Sequence, residues 1–181
     1  MRLVSLDTST PVTSCALLEG ETILWEKLLH EKAGDVLPSA LGDLDGIQAV
    51  AVGLGPGSFT GLRVGLACAK ALSYARRLPI AGISSLQALA AAEPGLVCAA
   101  TDARRGELFT QLFLDGVPQG EVRVVMAAQL QLPDGARLIR GTPRAAVIGR
   151  LCLPALLGKP YDQAACFALA PDYRQGFANL T

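Results

Sequence analysis

The chain has 181 residues, 51% of them hydrophobic and 18% charged, with 16 basic side chains balanced by 16 acidic ones. That size allows one domain or two small ones around a sizeable core. Zero net charge argues against a protein that grips nucleic acid alone, because neutralising phosphates needs a basic face. The five cysteines, Cys15, Cys68, Cys98, Cys152 and Cys166, are odd in number and contain no C-x-x-C pair, so neither a disulfide framework nor a zinc site is expected. Each lies in an apolar run, where buried thiols belong. Asp7 interrupts the apolar start, so no signal peptide is expected. Arg63, Lys70, Gln87 and Glu93 break the longest apolar stretches, so no membrane span is expected either. A reducing cytoplasm fits this usage.

Residues 3–6 form a short apolar run that ends in the polar turn Asp7-Thr8-Ser9-Thr10-Pro11. Strand character resumes over 13–18, and Glu19-Gly20-Glu21 reads as a hairpin turn into a strand over 22–28. Three strands in succession predict an antiparallel start. Over 35–44, Val36, Leu37, Ala40, Leu41 and Leu44 recur at helical spacing. A buried strand over 49–53 leads into a glycine-rich turn and a helix over 61–76, with Pro79 closing the unit. Ser84 or Ser85 caps a further helix through Ala92, ended by Pro94-Gly95. A strand over 96–100 precedes the turn Asp102–Glu107, a strand over 108–114 and a hairpin at Asp115-Gly116. After a segment at 121–125 the pattern weakens, with short helices predicted at 127–130 and 143–151. This order suggests a duplicated α/β unit with a reduced second copy.

The most informative stretch is Gly55-Pro56-Gly57-Ser58-Phe59-Thr60-Gly61-Leu62-Arg63-Val64-Gly65-Leu66. A glycine-rich turn between strand and helix is a common phosphate site, because the first helical N–H groups are unpaired. Here Gly61 is followed by Leu62, so the Walker lysine is missing, and Thr60 stands where a dinucleotide loop needs its third glycine. Pro56 removes one more donor. The loop is therefore read as a tight turn with Thr60 or Ser58 capping the helix. The helix behind it carries two columns of small residues at four-residue spacing: Gly61, Gly65, Ala69 and Ser73, and Ala67, Ala71 and Ala75. Residues four apart share a face. A helix apolar all round is buried on more than one side. Either the rest of the chain or a second polypeptide covers the second side.

The catalytic inventory is thin. His30 is the only histidine and sits in the charged segment Glu26–Lys32, so it reads as a solvated loop residue. A zinc site with two histidines is excluded. Asp7, at the end of a first strand, stands where sugar kinases and actin-like ATPases hold a magnesium-bound phosphate. Those proteins place glycine two residues later, where this chain has Ser9, so capping or turn formation fits better. Asp102 and Glu107 offer further carboxylates. The Arg104-Arg105 pair reads as a solvated turn rather than an anion site.

Four pieces in order, Leu6-Asp7-Thr8-Ser9-Thr10, the Gly55–Gly65 turn and helix, Ser84-Ser85-Leu86-Gln87-Ala88-Leu89-Ala90, and Thr101-Asp102-Ala103-Arg104-Arg105-Gly106-Glu107, resemble the TsaB family. These are bacterial tRNA threonylcarbamoyladenosine biosynthesis proteins, relatives of the glycoprotease-like TsaD. Asp172-Tyr173-Arg174 resembles a weaker family feature. The resemblance covers about the first 110 residues, and the region after Leu114 is short for the family. It implies an α/β, actin-like (ribonuclease H-like) fold with mixed sheet and helices, a first lobe over 1–94 and a reduced second lobe over 95–181. It also implies a cytoplasmic, non-catalytic platform without cofactor, which binds TsaD in a complex joined by TsaE and reaches tRNA only through that complex. In the absence of TsaD such proteins form homodimers through the same surface.

On this basis the partner-facing residues are expected among Leu37, Leu41, Gly61, Arg63, Gly65, Ala69, Lys70 and Ser73. Nucleotide or anion contacts, if the loop makes any, are expected at Asp7, Ser9, Ser58, Thr60 and Arg104. Ala69→Arg is then expected to abolish partner association without disturbing the fold. The competing reading is a small phosphotransferase or ATPase using Asp7 and the Gly55–Gly61 loop. A glycoprotease-like peptidase is disfavoured, since one histidine does not build its metal site.

Overall fold

Alternate residues of a strand point to opposite faces of a sheet, so a strand apolar at every position must be covered on both sides. The first strand, β1 (Arg2–Asp7), is of this kind, and so is β4 (Ala49–Gly53). In the computed structural model, which describes residues 1–173, these two lie parallel at the centre of a five-stranded sheet. Arg174 lies outside the described residues. The antiparallel start is present: β2 (Thr13–Glu19) pairs with β1, and β3 (Thr22–Leu29) pairs with β2. With β5 (Ile80–Ile83) added parallel to β4, the order is β3-β2-β1-β4-β5.

Two helices, α1 (Ala33–Leu41) and α2 (Phe59–Arg76), cover one face. Val4, Leu6, Val50 and Val52 from the sheet meet Leu37, Leu41, Leu66 and Ala69 there. The opposite face carries Leu3, Ala16, Leu18, Ala49 and Ala51, which pack on Ile148, Cys152 and Leu156 of α4 (Ala145–Leu156). A second five-stranded sheet runs β10-β6-β7-β8, with β9 also on β7. Its strands are β6 (Leu96–Arg104), β7 (Glu107–Leu114), β8 (Val117–Pro118), β9 (Arg123–Met126) and β10 (Arg137–Arg140). Phe109, Phe113, Val97 and Ala99 pack there against Leu86 and Leu89 of α3 (Ser85–Ala90). After α4 the chain forms a short α5 (Gln163–Ala168) against α2.

Several boundaries differ from the sequence reading for local reasons. Helix α1 stops at Leu41 because Gly42 takes a left-handed φ of 58°, yet Leu44 beyond it remains buried in the same core. Helix α2 begins at Phe59, with Ser58 rather than Thr60 as its cap, and Ser84 rather than Ser85 caps α3. Strand β6 continues past Ala100 to Arg104, with a bulge between Asp102 and Arg104. The short strands β5 and β10 and the six-residue α5 carry too few residues for a period to register. Helix α4 runs on to Leu156 through Pro154, whose missing N–H falls in the last turns.

The N-terminus of α4 is capped from another part of the chain. Its own N-cap residue, Arg144, makes no side-chain cap bond. Instead the Ala145 N–H donates to Ser14 Oγ at 2.8 Å, the Ala146 N–H donates to Glu26 Oε1 at 3.0 Å, and Arg144 pairs with Glu26 Oε2. Burial pushes the Glu26 carboxyl up, but the bonds from Arg144, Ala146 and Ser14, with the Arg144 charge, outweigh it and hold it below 4.5. A carboxyl held below its unfolded value stabilises the fold above that value, and the contribution is lost as pH falls through the folded one. Glu26→Gln is therefore expected to remove part of the acid-side decline in unfolding free energy. Glu26→Ala is expected to cost about 1–3 kcal/mol at neutral pH in urea unfolding. An unchanged midpoint for Glu26→Ala contradicts the capping role.

Candidate functional site

At the C-terminal end of β1 the Asp7 carboxylate is fully buried and surrounded by short donors. Oδ1 accepts from the Ser9 N–H at 2.8 Å and from Ser9 Oγ at 2.6 Å. Oδ2 accepts from Ser85 Oγ at 2.5 Å, and Ser85 Oγ in turn accepts from the Gly55 N–H at 3.0 Å. The Ser85 N–H returns a bond to the Gly55 carbonyl at 2.8 Å. One carboxylate thus ties together the β1–β2 turn, the start of α3 and the glycine-rich loop. Desolvation raises the Asp7 pKa above 3.8, and its hydrogen bonds with Ser85 and Ser9 only partly oppose that rise.

The glycines of the loop let the chain approach itself. A Cβ on Gly53 would sit 1.9 Å from Asp7 Oδ2, on Gly57 2.1 Å from Ser9 O, on Gly61 2.1 Å from Thr8 O, and on Gly65 2.1 Å from Thr8 Oγ1. Thr8 Oγ1 donates to the Gly61 carbonyl at 2.7 Å, and the Ser58 N–H donates to Ser9 O at 2.7 Å. The Gly61 N–H donates to Ser58 Oγ at 3.2 Å. Where a phosphate loop presents backbone to a ligand, this loop presents it to the Thr8–Ser9 backbone. Gly55–Pro56 is a cis peptide, and the Pro56 carbonyl accepts from Thr101 Oγ1 of the second sheet at 3.5 Å.

Helix α2 has a different sidedness from the one its sequence suggests. The column Gly65, Ala69, Ser73 is buried, packed on Thr8 and the sheet, and Ser73 Oγ donates to the Leu78 carbonyl. Leu37 and Leu41 of α1 are buried as well. These five residues form the inner wall of the chain's own core, so as direct partner contacts they are corrected: Ala69→Arg tests folding, not docking. The column Ala67, Ala71, Ala75 is exposed, as are Phe59, Thr60, Arg63 and Tyr74; Gly61 and Lys70 are half-buried.

One flank of α2 is dressed by the end of the described chain. Lys70 Nζ donates to the Phe167 carbonyl at 2.9 Å, and the rings of Tyr74 and Phe167 lie 5.8 Å apart. Arg63 lies over Phe59 at 4.0 Å and donates through Nε to Tyr173 Oη at 3.3 Å. Phe59 and Tyr173 are 5.0 Å apart between ring centres. The strip of exposed aromatics so formed runs beside the open alanine column and does not cover it.

Of the remaining candidates, Arg104 stands exposed at the β6–β7 turn with φ 72°, its N–H on Asp102 Oδ1, and it makes no hydrogen bond or ion pair with Asp7, Ser9, Ser58 or Thr60. His30 is exposed, and among the described residues no group of three potential metal ligands exists. All five cysteines are free, and burial pushes the Cys152 thiol up to about 12. No helix among the described residues is long and apolar enough to cross a membrane. Sequence reasoning missed the role of Ser85 as a ligand of Asp7; its only signal was a serine doublet that two caps explain equally well.

Two sheets in these strand orders, with helices on both faces of the first, define an actin-like α/β protein, and YeaZ from Pseudomonas aeruginosa shares the arrangement. That structure superposes with a TM-score of 0.71 at 23% identity, over 95% of this chain and 99% of that one. A family profile described as TsaD, tRNA N6-adenosine threonylcarbamoyltransferase, matches residues 28–141. An uncharacterized protein of Mycobacterium tuberculosis is 32% identical over 158 residues, 81% of this chain and 74% of its own length. TsaB of Bacillus subtilis is 35% identical over 126 residues, 62% of this chain and 55% of that protein. The chain belongs to the family of that TsaD profile, and the named relatives it is similar to include TsaB proteins.

Because the folded state holds the Asp7 proton more tightly than the unfolded chain does, this group's contribution to stability falls as pH rises above 3.8 toward the folded value. Relative to Asp7→Asn, the wild-type chain is expected to lose unfolding free energy as pH rises above 3.8, measured by urea titration over a series from acid to neutral pH. A difference that stays constant across that range contradicts a desolvated carboxyl at this position.

Proposed function

We propose that this chain is a non-catalytic scaffold subunit of the tRNA threonylcarbamoyladenosine machinery, acting in the cytoplasm. It docks on TsaD through the open side of α2 and reaches tRNA only within that complex, with TsaE as a further member. Without TsaD the same face pairs two copies of the chain. The observation that carries this reading is the division of labour on α2. One small-residue column seals the chain's own core, while the second, Ala67–Ala71–Ala75, lies open beside Phe59, Tyr74, Phe167 and Tyr173. Small residues allow close backbone approach, and exposed aromatics with arginine are the side chains enriched at protein contacts. The retained contact residues are Gly61, Arg63 and Lys70, joined by Ala67, Ala71 and Ala75.

The phosphotransferase or ATPase reading needs room between the Asp7 turn and the Gly55–Gly61 loop. That space is occupied by direct Ser58–Ser9 and Thr8–Gly61 bonds. Isothermal titration of the isolated chain with ATP and magnesium is expected to give no binding heat, and micromolar binding revives the ATPase reading.

Ala71→Arg is expected to weaken association with TsaD by at least about tenfold, because a charged side chain is driven into a close contact. Its circular dichroism and thermal midpoint should match the wild type, whereas Ala69→Arg should unfold the chain. Wild-type affinity for TsaD in the Ala71→Arg variant, read by sedimentation or calorimetry, overturns the proposal.

A further inference from the structure

The open column of α2 ends at Ala75, and there the surface drops into a depression of about 440 Å³ lined by Tyr74, Ala75, Arg77, Tyr161 and Gln163. Its walls are unusually specific for a surface hollow. Arg77 closes α2 in a left-handed conformation, φ 49°, with its N–H on the Ser73 and Tyr74 carbonyls. Among the described residues its guanidinium makes no hydrogen bond or ion pair, the ion pairs there being Arg137–Glu93 and Arg144–Glu26. The adjacent acid, Asp162, is engaged as the cap of α5, its Oδ1 accepting from the Ala164 and Ala165 N–H groups at 2.8 and 3.1 Å, although its charge still reaches Tyr161. Also lining the hollow is Tyr161, whose hydroxyl is shielded from solvent and has no hydrogen-bond partner among the described residues. A hydroxyl left so is uncommon in folded chains and marks a place for a missing acceptor. The helix that leads here holds Arg63, Lys70 and Arg76 and no acidic residue at all.

An unpaired guanidinium and an orphan hydroxyl converging on one hollow fit a compact anionic acceptor, for which arginine forms short, charge-assisted bonds. We infer that this hollow is a socket for a carboxylate, an Asp or Glu side chain carried by the protein that docks on α2. The inference rests on the docking reading above. The alanine column argues for a protein rather than a nucleic acid as its source, since close-packed small residues meet another backbone or apolar side chains and offer nothing to phosphates. Placed at the end of that column, the socket fixes the register of the partner along the helix, and a second copy of this chain would bring only further cations on its own α2.

The test uses the full chain with TsaD, in calorimetry, with Arg77→Gln, Tyr161→Phe and, as a control, Arg123→Gln. Arg77→Gln is expected to weaken TsaD binding roughly tenfold and Tyr161→Phe several-fold, while Arg123→Gln binds as wild type. Thermal midpoints of all three should stay at or above the wild-type value, since Tyr161→Phe removes an unsatisfied group. If wild type binds TsaD and the two socket variants bind equally well, this inference fails and the docking reading stands. If wild type does not bind TsaD, both fail. Titration with acetate and with inorganic phosphate separates the sources: saturation of the hollow by either ion without any effect of the variants on TsaD overturns the inference in favour of a free anion. A loss of tRNA binding in Arg77→Gln at unchanged TsaD affinity overturns it in favour of a nucleic acid.

Discussion

The burial of Asp7 constrains everything around it. A carboxylate removed from water is tolerated only where donors surround it, and here the donors come from three separate segments: Ser9 in the first turn, Ser85 at the start of α3, and through Ser85 the Gly55 backbone. Bringing these segments to one point forces the glycine-rich loop against the Thr8–Ser9 backbone at distances that no side chain survives. The glycines at 53, 57, 61 and 65 follow from that approach. An arrangement that resembles a phosphate loop in residue type is thus a seam within the chain, and the same residues that would cradle an anion bind the loop to the Thr8–Ser9 backbone.

This seam also fixes what α2 has left to offer. With Gly65, Ala69 and Ser73 turned to Thr8 and the sheet, the rest of the helix is divided between α1, the segment from α5 to Tyr173, and solvent. The aromatic and cationic contacts of Arg63, Lys70 and Tyr74 hold that segment along one flank and leave the alanine column exposed beside it. On the docking reading proposed above, a face already shaped by the chain's own contacts lowers the ordering cost of association. Capping of α4 by Glu26 and Ser14 fastens a late helix to the earliest strands on the opposite face of the sheet.

Much of this was legible in the residues themselves. The continuous apolar runs of β1 and β4 announce strands covered on both faces, and the three-strand opening follows from the turns at Thr10-Pro11 and Glu19-Gly20-Glu21. The two small-residue columns of α2 were equally visible, but not which of them faces inward. Periodicity gives spacing around a helix and no absolute rotation, and that rotation is set by Thr8, a residue far earlier in the chain whose hydroxyl leaves room only for glycine at position 65. Leu37 and Leu41 were misjudged for the same reason: an apolar stripe at helical spacing is first of all a core. Ser85, Glu26 and Tyr161 were out of reach because their roles depend on partners distant in the chain. The short β5, β10 and α5 were silent because four to six residues hold too little pattern.

Amide hydrogen exchange on the chain alone, with TsaD, and with ATP and magnesium tests the central claim most directly, because it reads both faces of α2 and the Asp7 seam at once. The account predicts new protection along 60–77 and 163–168 on mixing with TsaD, and no change at Asp7–Ser9 or Gly55–Ser58 with nucleotide. Protection of the Asp7 turn and the glycine loop by nucleotide, with none along α2 in the presence of TsaD, would contradict it.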